Sequence, residues 1–196
     1  MKKYNFGEDE SYLLEQNLLG IDNFADLELA EQFAFTVRSL EIECGKYTID
    51  SFNLASLMAL HHYLFQDIYQ FAGEIRKVQL IKGDTRFCQM QYILSMCEKL
   101  FTELAQEGEW PTVEIAAQRL AYYKSELNII HPFREGNGRA IRLFIHAYAK
   151  SKGYNWDFVK LERDGYMQAM IDAVLDTNKL QNIFLHTLQK GDFPQF

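Results

Sequence analysis

Apolar residues recur at helical spacing over most of this chain. From Leu27 through Ala30, Ala34 and Val37 to Leu40 they return every three or four positions, the period at which side chains share one helix face. Asn23, with Asp26 three residues on, is an N-cap signal, and Gly45 suits the position just past a helix end; a helix is predicted over about 24–43. Leu54, Leu57, Met58, His61, Leu64, Phe65 and Ile68 form the stripe of a second helix, with Asp50 and Ser51 as its candidate caps. The same period predicts helices at about 90–107, 112–129, 139–152, 163–175 and 178–189. Residues 1–22 are polar around Leu13-Leu14 and Leu18-Leu19 and read as a turn of helix and a loop. The helical period fails between Glu74 and Gln89, where Val78, Leu80 and Gly83-Asp84 read as a short β-hairpin, the one strand-like piece of the chain. The fold expected is all-α, a helical bundle with one short β-hairpin, in which a helical extension (1–45) packs on a core unit (46–196).

Composition narrows the class. With 196 residues, 48% of them hydrophobic, the chain can bury the core of one domain. Acidic residues outnumber basic ones, 27 to 20, for a net charge of −7, and no basic stripe appears, so direct nucleic-acid binding is not expected. No apolar run approaches the roughly 18 residues that a membrane span needs, and the first residues lack the apolar region of a signal peptide. Cys44, Cys88 and Cys97 are an odd set without metal-ligand spacing, which suits reduced thiols in a cytoplasm. His61 falls on a buried stripe and reads as core, despite its neighbour His62. The aromatic residues Tyr63, Phe65, Tyr69 and Phe71 read as core too.

One stretch carries chemistry: His131-Pro132-Phe133-Arg134-Glu135-Gly136-Asn137-Gly138-Arg139, continuing to Arg142. Pro132 fixes φ, and Gly136 and Gly138 permit backbone shapes that a Cβ forbids. Such a loop can turn several N–H groups toward one anion, and the helix that follows adds its own unpaired N–H groups and dipole. Arg139 and Arg142 lie three apart on that first turn. Cations there oppose the helix dipole and make sense if an anion sits among them. A carboxylate beside a phosphate calls for a cation between them, so Glu135 reads as a ligand for Mg²⁺. His131, at the loop entrance, has the chemistry of a base near neutral pH. Phe133 points into the core and anchors the loop.

These residues resemble the signature of the Fic family, HPFx(D/E)GNGRxxR, at every fixed position. Tyr63 to Gly73 is similar to the family's upstream helix, and Lys82-Gly83-Asp84-Thr85-Arg86-Phe87 to its flap; together they cover about residues 45–190. The resemblance implies a protein adenylyltransferase with ATP as substrate, moving AMP to a Ser, Thr or Tyr hydroxyl of a target protein and releasing pyrophosphate. In that reading His131 is the base, Gly136, Asn137 and Gly138 hold the α-phosphate, Arg139 and Arg142 take the outgoing phosphates, and Glu135 holds Mg²⁺. The target docks along the flap (76–89), Lys82 approaches the nucleotide, and the base lies near Tyr166 and Met170. Doc kinases resemble this loop with lysine at the position of Gly138, so glycine favours adenylyl over phosphoryl transfer.

Many Fic proteins are restrained by a glutamate in the pattern (S/T)xxxE(G/N), which pairs with the second motif arginine. Ser39 to Glu43 fits it up to Cys44, and a solvated helix-end glutamate fits Glu43 as well. Thr177 to Gln181 has the spacing but offers a glutamine, which cannot neutralise Arg142. The alternative is a small antitoxin supplying an inhibitory helix, with this chain as the toxin of the pair. Two other functions stand beside transfer: a nucleotide-binding regulator without activity, and removal of AMP from modified proteins.

Overall fold

The computed structural model describes residues 11–83 and 85–191. Its helices are α1 (Ser11–Glu15), α2 (Phe24–Glu43), α3 (Leu54–Phe65), α4 (Ile93–Ala105), α5 (Val113–Ile130), α6 (Asn137–Ser151), α7 (Arg163–Asp172) and α8 (Asn178–Thr187). Two 3-10 turns (Met90–Tyr92 and Phe158–Lys160) and two short antiparallel pairs join them: β1 (Ile81–Lys82) with β2 (Thr85–Arg86), and β3 (Tyr154–Trp156) with β4 (Leu188–Lys190). The all-α expectation holds, but the flap is not the one strand-like piece. The second pair joins segments more than thirty residues apart, with Trp156 opposite Leu188. Trp156 fixes it by packing at a tilt against Phe184, 4.8 Å between centroids, and by donating its indole N–H to Thr187 Oγ1 at 3.1 Å.

Helix α5 is the centre. Ala116, Ala117, Leu120, Ala121, Tyr123, Lys124, Leu127 and Ile130 are buried on about half its circumference, wider than the stripe of a surface helix. Its alanines let α6 and α8 pack against it, and α4 closes another side. The helix begins at Thr112, whose Oγ1 accepts the Ile115 N–H at 3.4 Å. Asn23 caps α2 as expected, its Oδ1 accepting the Asp26 N–H at 3.0 Å. Helix α3 is capped by Asn53 rather than by Asp50 or Ser51: Asn53 Oδ1 accepts the Ser56 N–H at 2.9 Å, while Ser51 hydrogen-bonds the Ser56 hydroxyl at 2.8 Å.

The inner face of α2 follows the predicted one only in its first half. Leu27 is buried and Ala30 and Ala34 pack beside it, but Val37 and Leu40 are exposed, and Glu31, Phe35 and Ile42 turn inward instead. The face turns because Glu31 has partners inside, described below. Phe65, Tyr69 and Phe71 are core as expected; Tyr63 is half-buried, stacked on Tyr47 at 4.3 Å. His146 is half-buried in α6 and hydrogen-bonds the Trp156 carbonyl at 3.1 Å, a packing role.

Candidate active site

The site is built where α5 stops and α6 starts. His131 is the C-cap of α5, with φ 48° and ψ 62°, the only described residue other than glycine with positive φ. That conformation costs a β-carbon residue about 1–2 kcal/mol, so glycine or asparagine would suit the position better on stability alone. Strain of this kind persists where a side chain is needed. The imidazole is buried, and its Nδ1 lies 3.0 Å from the Asn128 carbonyl. A carbonyl only accepts, so Nδ1 carries the hydrogen and Nε2 carries the lone pair. Burial pushes the imidazole down to about 3, opposed by the Asn128 contact and by Glu135, and aided by Arg76 and Lys82. His131 is therefore neutral at pH 7, the form a base requires. The charges of Glu135 and Lys82 acting on it put both near the ring.

The loop from Pro132 to Gly136 is closed by side chains. Asn137 is buried; its Oδ1 accepts the Phe133 N–H at 2.8 Å and its Nδ2 donates to the Phe133 carbonyl at 2.7 Å. Its amide thus shapes the loop, where the sequence reading had it facing the α-phosphate. Phe133 is fully buried against His61, 3.8 Å between ring centroids. His61 accepts the Gly73 N–H on Nδ1 and donates from Nε2 to the Glu135 carbonyl, each at 2.8 Å. A histidine that sequence pattern marks only as core therefore holds the loop's main chain. Gly136 has φ 78°, and a Cβ there would sit 2.5 Å from Phe65 Cε2. Gly138 differs: it lies inside α6, is exposed and has nothing within 4 Å of its would-be Cβ. Its value is open space at the helix end, not backbone freedom.

Both arginines flank that end. Arg139 Nη2 is 2.8 Å from Glu31 Oε2 and 3.5 Å from Glu135 Oε1, and its guanidinium lies over Phe65 at 4.9 Å. Glu31 is buried and accepts the Tyr69 hydroxyl at 3.0 Å on its other oxygen. Part of the anion that the arginines call for is thus supplied by α2, from 108 positions upstream. A charged residue four after Leu27, on an apolar helix face, was the signal for it. Arg142 makes no ion pair among the described residues; its Nε is buried without a hydrogen-bond partner, and burial lowers its pKa. Leaving a buried donor unmade is costly, and an anion at this point would satisfy it. Lys124, also unremarked in the sequence, is buried beside Tyr166, pushed down to about 7 by burial and by the Arg142 charge.

The remaining candidates fall as follows. Lys82 is exposed on β1 of the flap. Tyr166, half-buried on α7, lines a cleft of about 300 Å³ with Leu161, Ile183 and Thr187, and the Arg142 charge acts on it. Ser39 donates to the Phe35 carbonyl one turn back at 2.7 Å. Glu43 is exposed at the end of α2 and forms no ion pair with Arg142; its charge is felt by His146, one turn further along α6. Asp84, in the flap stretch read from the sequence, lies outside the described residues.

The buried histidines set a pH dependence. Burial holds His131 near 3 and pushes His61 down to about 4, whereas both titrate near 6.5 when unfolded. Below that pH the unfolded chain binds more protons than the folded one, so stability falls as pH falls. Each histidine is expected to remove about 2 kcal/mol between pH 6.5 and 5. Urea unfolding at pH 7 and pH 5 measures the change. His131→Gln is expected to lose its share of the slope, and an unchanged slope would contradict neutral burial.

Comparison with known proteins agrees with this geometry. Residues 51–149 match the model of the Fic/DOC family. The chain is 34% identical to protein adenylyltransferase VbhT of Bartonella schoenbuchensis, over 94% of this chain and 40% of that protein. It therefore spans less than half of VbhT. It is 36% identical to the probable protein adenylyltransferase Fic of Escherichia coli K12, covering 86% of this chain and 84% of that one. Its fold matches BepC of Bartonella tribocorum, solved with AMPPNP bound, at a TM-score of 0.81 and 20% identity, over 90% and 93% of the two chains. With the signature loop closed by Asn137 and His61 and these matches beside it, the chain belongs to the Fic/DOC family.

Proposed function

We propose that this chain is a protein adenylyltransferase, taking ATP and joining AMP to a hydroxyl side chain of another protein. The observation that carries the reading is the pairing of a neutral, Nδ1-protonated His131 with the glycine-turned start of α6. At that start Arg142 keeps a buried donor unfilled. The α-phosphate lies against the Asn137 and Gly138 N–H groups at the start of α6; the next two, of Arg139 and Ala140, already donate to the Gly136 carbonyl. Arg139 and Arg142 take the β- and γ-phosphates, and the forked guanidinium suits both oxygens. His131 Nε2 removes the proton as the target hydroxyl attacks the α-phosphorus in line with the departing pyrophosphate. Those donors stand ready for the charge on the phosphate oxygens before the reaction begins.

Glu135 would hold a magnesium ion. It is the one carboxylate in the motif loop, and its Oε1 is oriented by the Gly136 N–H at 3.0 Å. Among the described residues no group of three or more Asp, Glu, His or Cys could hold a metal alone, which suits an ion completed by phosphates and water. The ion would neutralise charge between the phosphates. The target presents its hydroxyl segment along the open edge of the flap, by strand addition. Restraint by a separate antitoxin helix fits Arg142, which makes no ion pair among the described residues, better than restraint by Glu43, which is exposed at the end of α2. No described helix is long and apolar enough to cross a membrane, which suits the cytoplasmic location expected from the sequence.

The test is the position of the label. ATP labelled at the α-phosphate is expected to label protein in a cell lysate above a control without the chain, and ATP labelled at the γ-phosphate to give no more label than that control. Labelling from the γ-position alone would make the chain a kinase.

A further inference from the structure

The flap and the catalytic loop are joined by a buried residue that the signature does not contain. Arg76 is 4% exposed. Its Nε donates to the His131 carbonyl at 2.7 Å, and its Nη2 to the Ile130 carbonyl at 3.3 Å. The same guanidinium reaches the two feet of the flap: Nη2 donates to the Cys88 carbonyl at 2.6 Å, and Nη1 to the Val78 carbonyl. The main chain repeats the link. The Arg76 N–H donates to the Pro132 carbonyl at 2.8 Å, and the Cys88 N–H to the Ile129 carbonyl at 2.9 Å. Gln79 ties the feet to one another, donating to the Phe87 carbonyl at 2.9 Å and the Leu80 carbonyl at 3.2 Å. On the far foot, the Phe87 ring lies flat on the His131 imidazole, 3.7 Å between centroids and 14° between planes.

Arg76 and Phe87 both reach the residue at which the chain is strained. His131 holds its left-handed backbone while Arg76 fixes its carbonyl and the one before it. Its ring is then confined from one side by Phe87 and anchored at Nδ1 by Asn128. A lysine has no planar fork and could not span four carbonyls. None of these contacts touches the Gly136–Arg142 cradle.

We propose that Arg76 and Phe87 are positioning residues that lock the flap and the His131 imidazole into one rigid unit, so that a segment seated on the flap edge is aligned with the base. The proposal rests on the reading of His131 as the base for AMP transfer. It goes further in assigning the alignment of the two substrates to residues outside the signature. A target hydroxyl is placed by the flap and its proton is accepted by His131, and the distance between those two points is set by Arg76. Misplacement by an ångström is enough to slow a reaction about 100-fold.

The experiment uses Arg76→Lys, which keeps the charge, and Phe87→Leu, which keeps an apolar cover, in the full chain. Three quantities are read: kcat for labelling a target protein, the Kd for ATP by calorimetry, and the His131 imidazole NMR signal. That signal is assigned by its disappearance in His131→Gln. In both variants kcat is expected to fall about 10- to 100-fold while the ATP Kd stays within about twofold, because the cradle is untouched. Phe87→Leu removes the ring-current shift of the imidazole. Arg76→Lys is expected to move the same signal in the same direction, although Arg76 does not cover the ring. The proposal is overturned if kcat holds in folded variants. It is also overturned if kcat and ATP affinity fall together, which would be general loosening, or if Arg76→Lys leaves the imidazole signal in place. If the unaltered chain transfers no AMP to any protein, the functional reading fails instead, and the NMR arm still decides whether Arg76 positions the ring.

Discussion

His131→Ala is expected to slow AMP transfer by about 10²- to 10⁴-fold, the span a positioned general base contributes. ATP binding should change little, because the imidazole is held by Asn128 and Phe87, apart from the start of α6 where the phosphates are proposed to lie. Initial rates with α-labelled ATP, beside calorimetry of ATP binding, separate the two effects. Transfer that survives at more than a tenth of the original rate would remove His131 from the mechanism. Stability gives a second line. His131 adopts φ 48°, which alanine tolerates as poorly as histidine does, whereas glycine adopts it without penalty. His131→Gly is therefore expected to be about 1 kcal/mol more stable than His131→Ala while equally inactive. Activity and stability are opposed at this one residue.

The second large effect belongs to Gly136. A Cβ there would meet Phe65 Cε2 at 2.5 Å and Cζ at 2.6 Å, and φ is 78°. Phe65 is fully buried against His61 and under Arg139, so it has little room to yield. Gly136→Ala combines backbone strain with overpacking, roughly 2–5 kcal/mol together, or on the order of 10 °C in Tm. The loop that relaxes leads directly into the start of α6, so ATP binding should be lost as well. Gly138→Ala is the control. It meets nothing within 4 Å in an ordinary helical position, so it should hold or raise Tm by the usual preference for alanine in a helix. Thermal melts of the two variants in parallel make the comparison; equal melting temperatures would contradict the cradle geometry.

The signature loop was legible because its chemistry is local. His131, Glu135, the glycines and both arginines sit within twelve residues, and their spacing carries the turn, the base and the helix start. Helix positions were legible for the same reason, since a 3.6-residue period needs only neighbours. What stayed hidden depends on residues far apart. Glu31 and Arg139 meet across 108 positions, and a lone carboxylate on an amphipathic helix looks like a solvated one until its partner is known. The exposure of Val37 and Leu40 follows from that pair, because turning Glu31 inward turns them outward. The β3–β4 pair escaped because each strand has three residues, too few for alternation to register, and its hydrogen bonds bridge distant segments. Asn137 was assigned to the ligand on its chemistry, but both ends of its amide are used on Phe133. Arg76 looked like any flap residue, because nothing in its neighbours announces four carbonyls converging on it.

The Glu31–Arg139 pair bears on where this protein can be cut. The family match begins at residue 51, and a fragment trimmed to that border would discard α2 entirely. It would strip the guanidinium of its nearest counter-ion, expose the apolar flank that Phe35 shields, and leave the Tyr69 hydroxyl without its acceptor. A fragment that keeps these contacts extends upstream of the signature to include that helix.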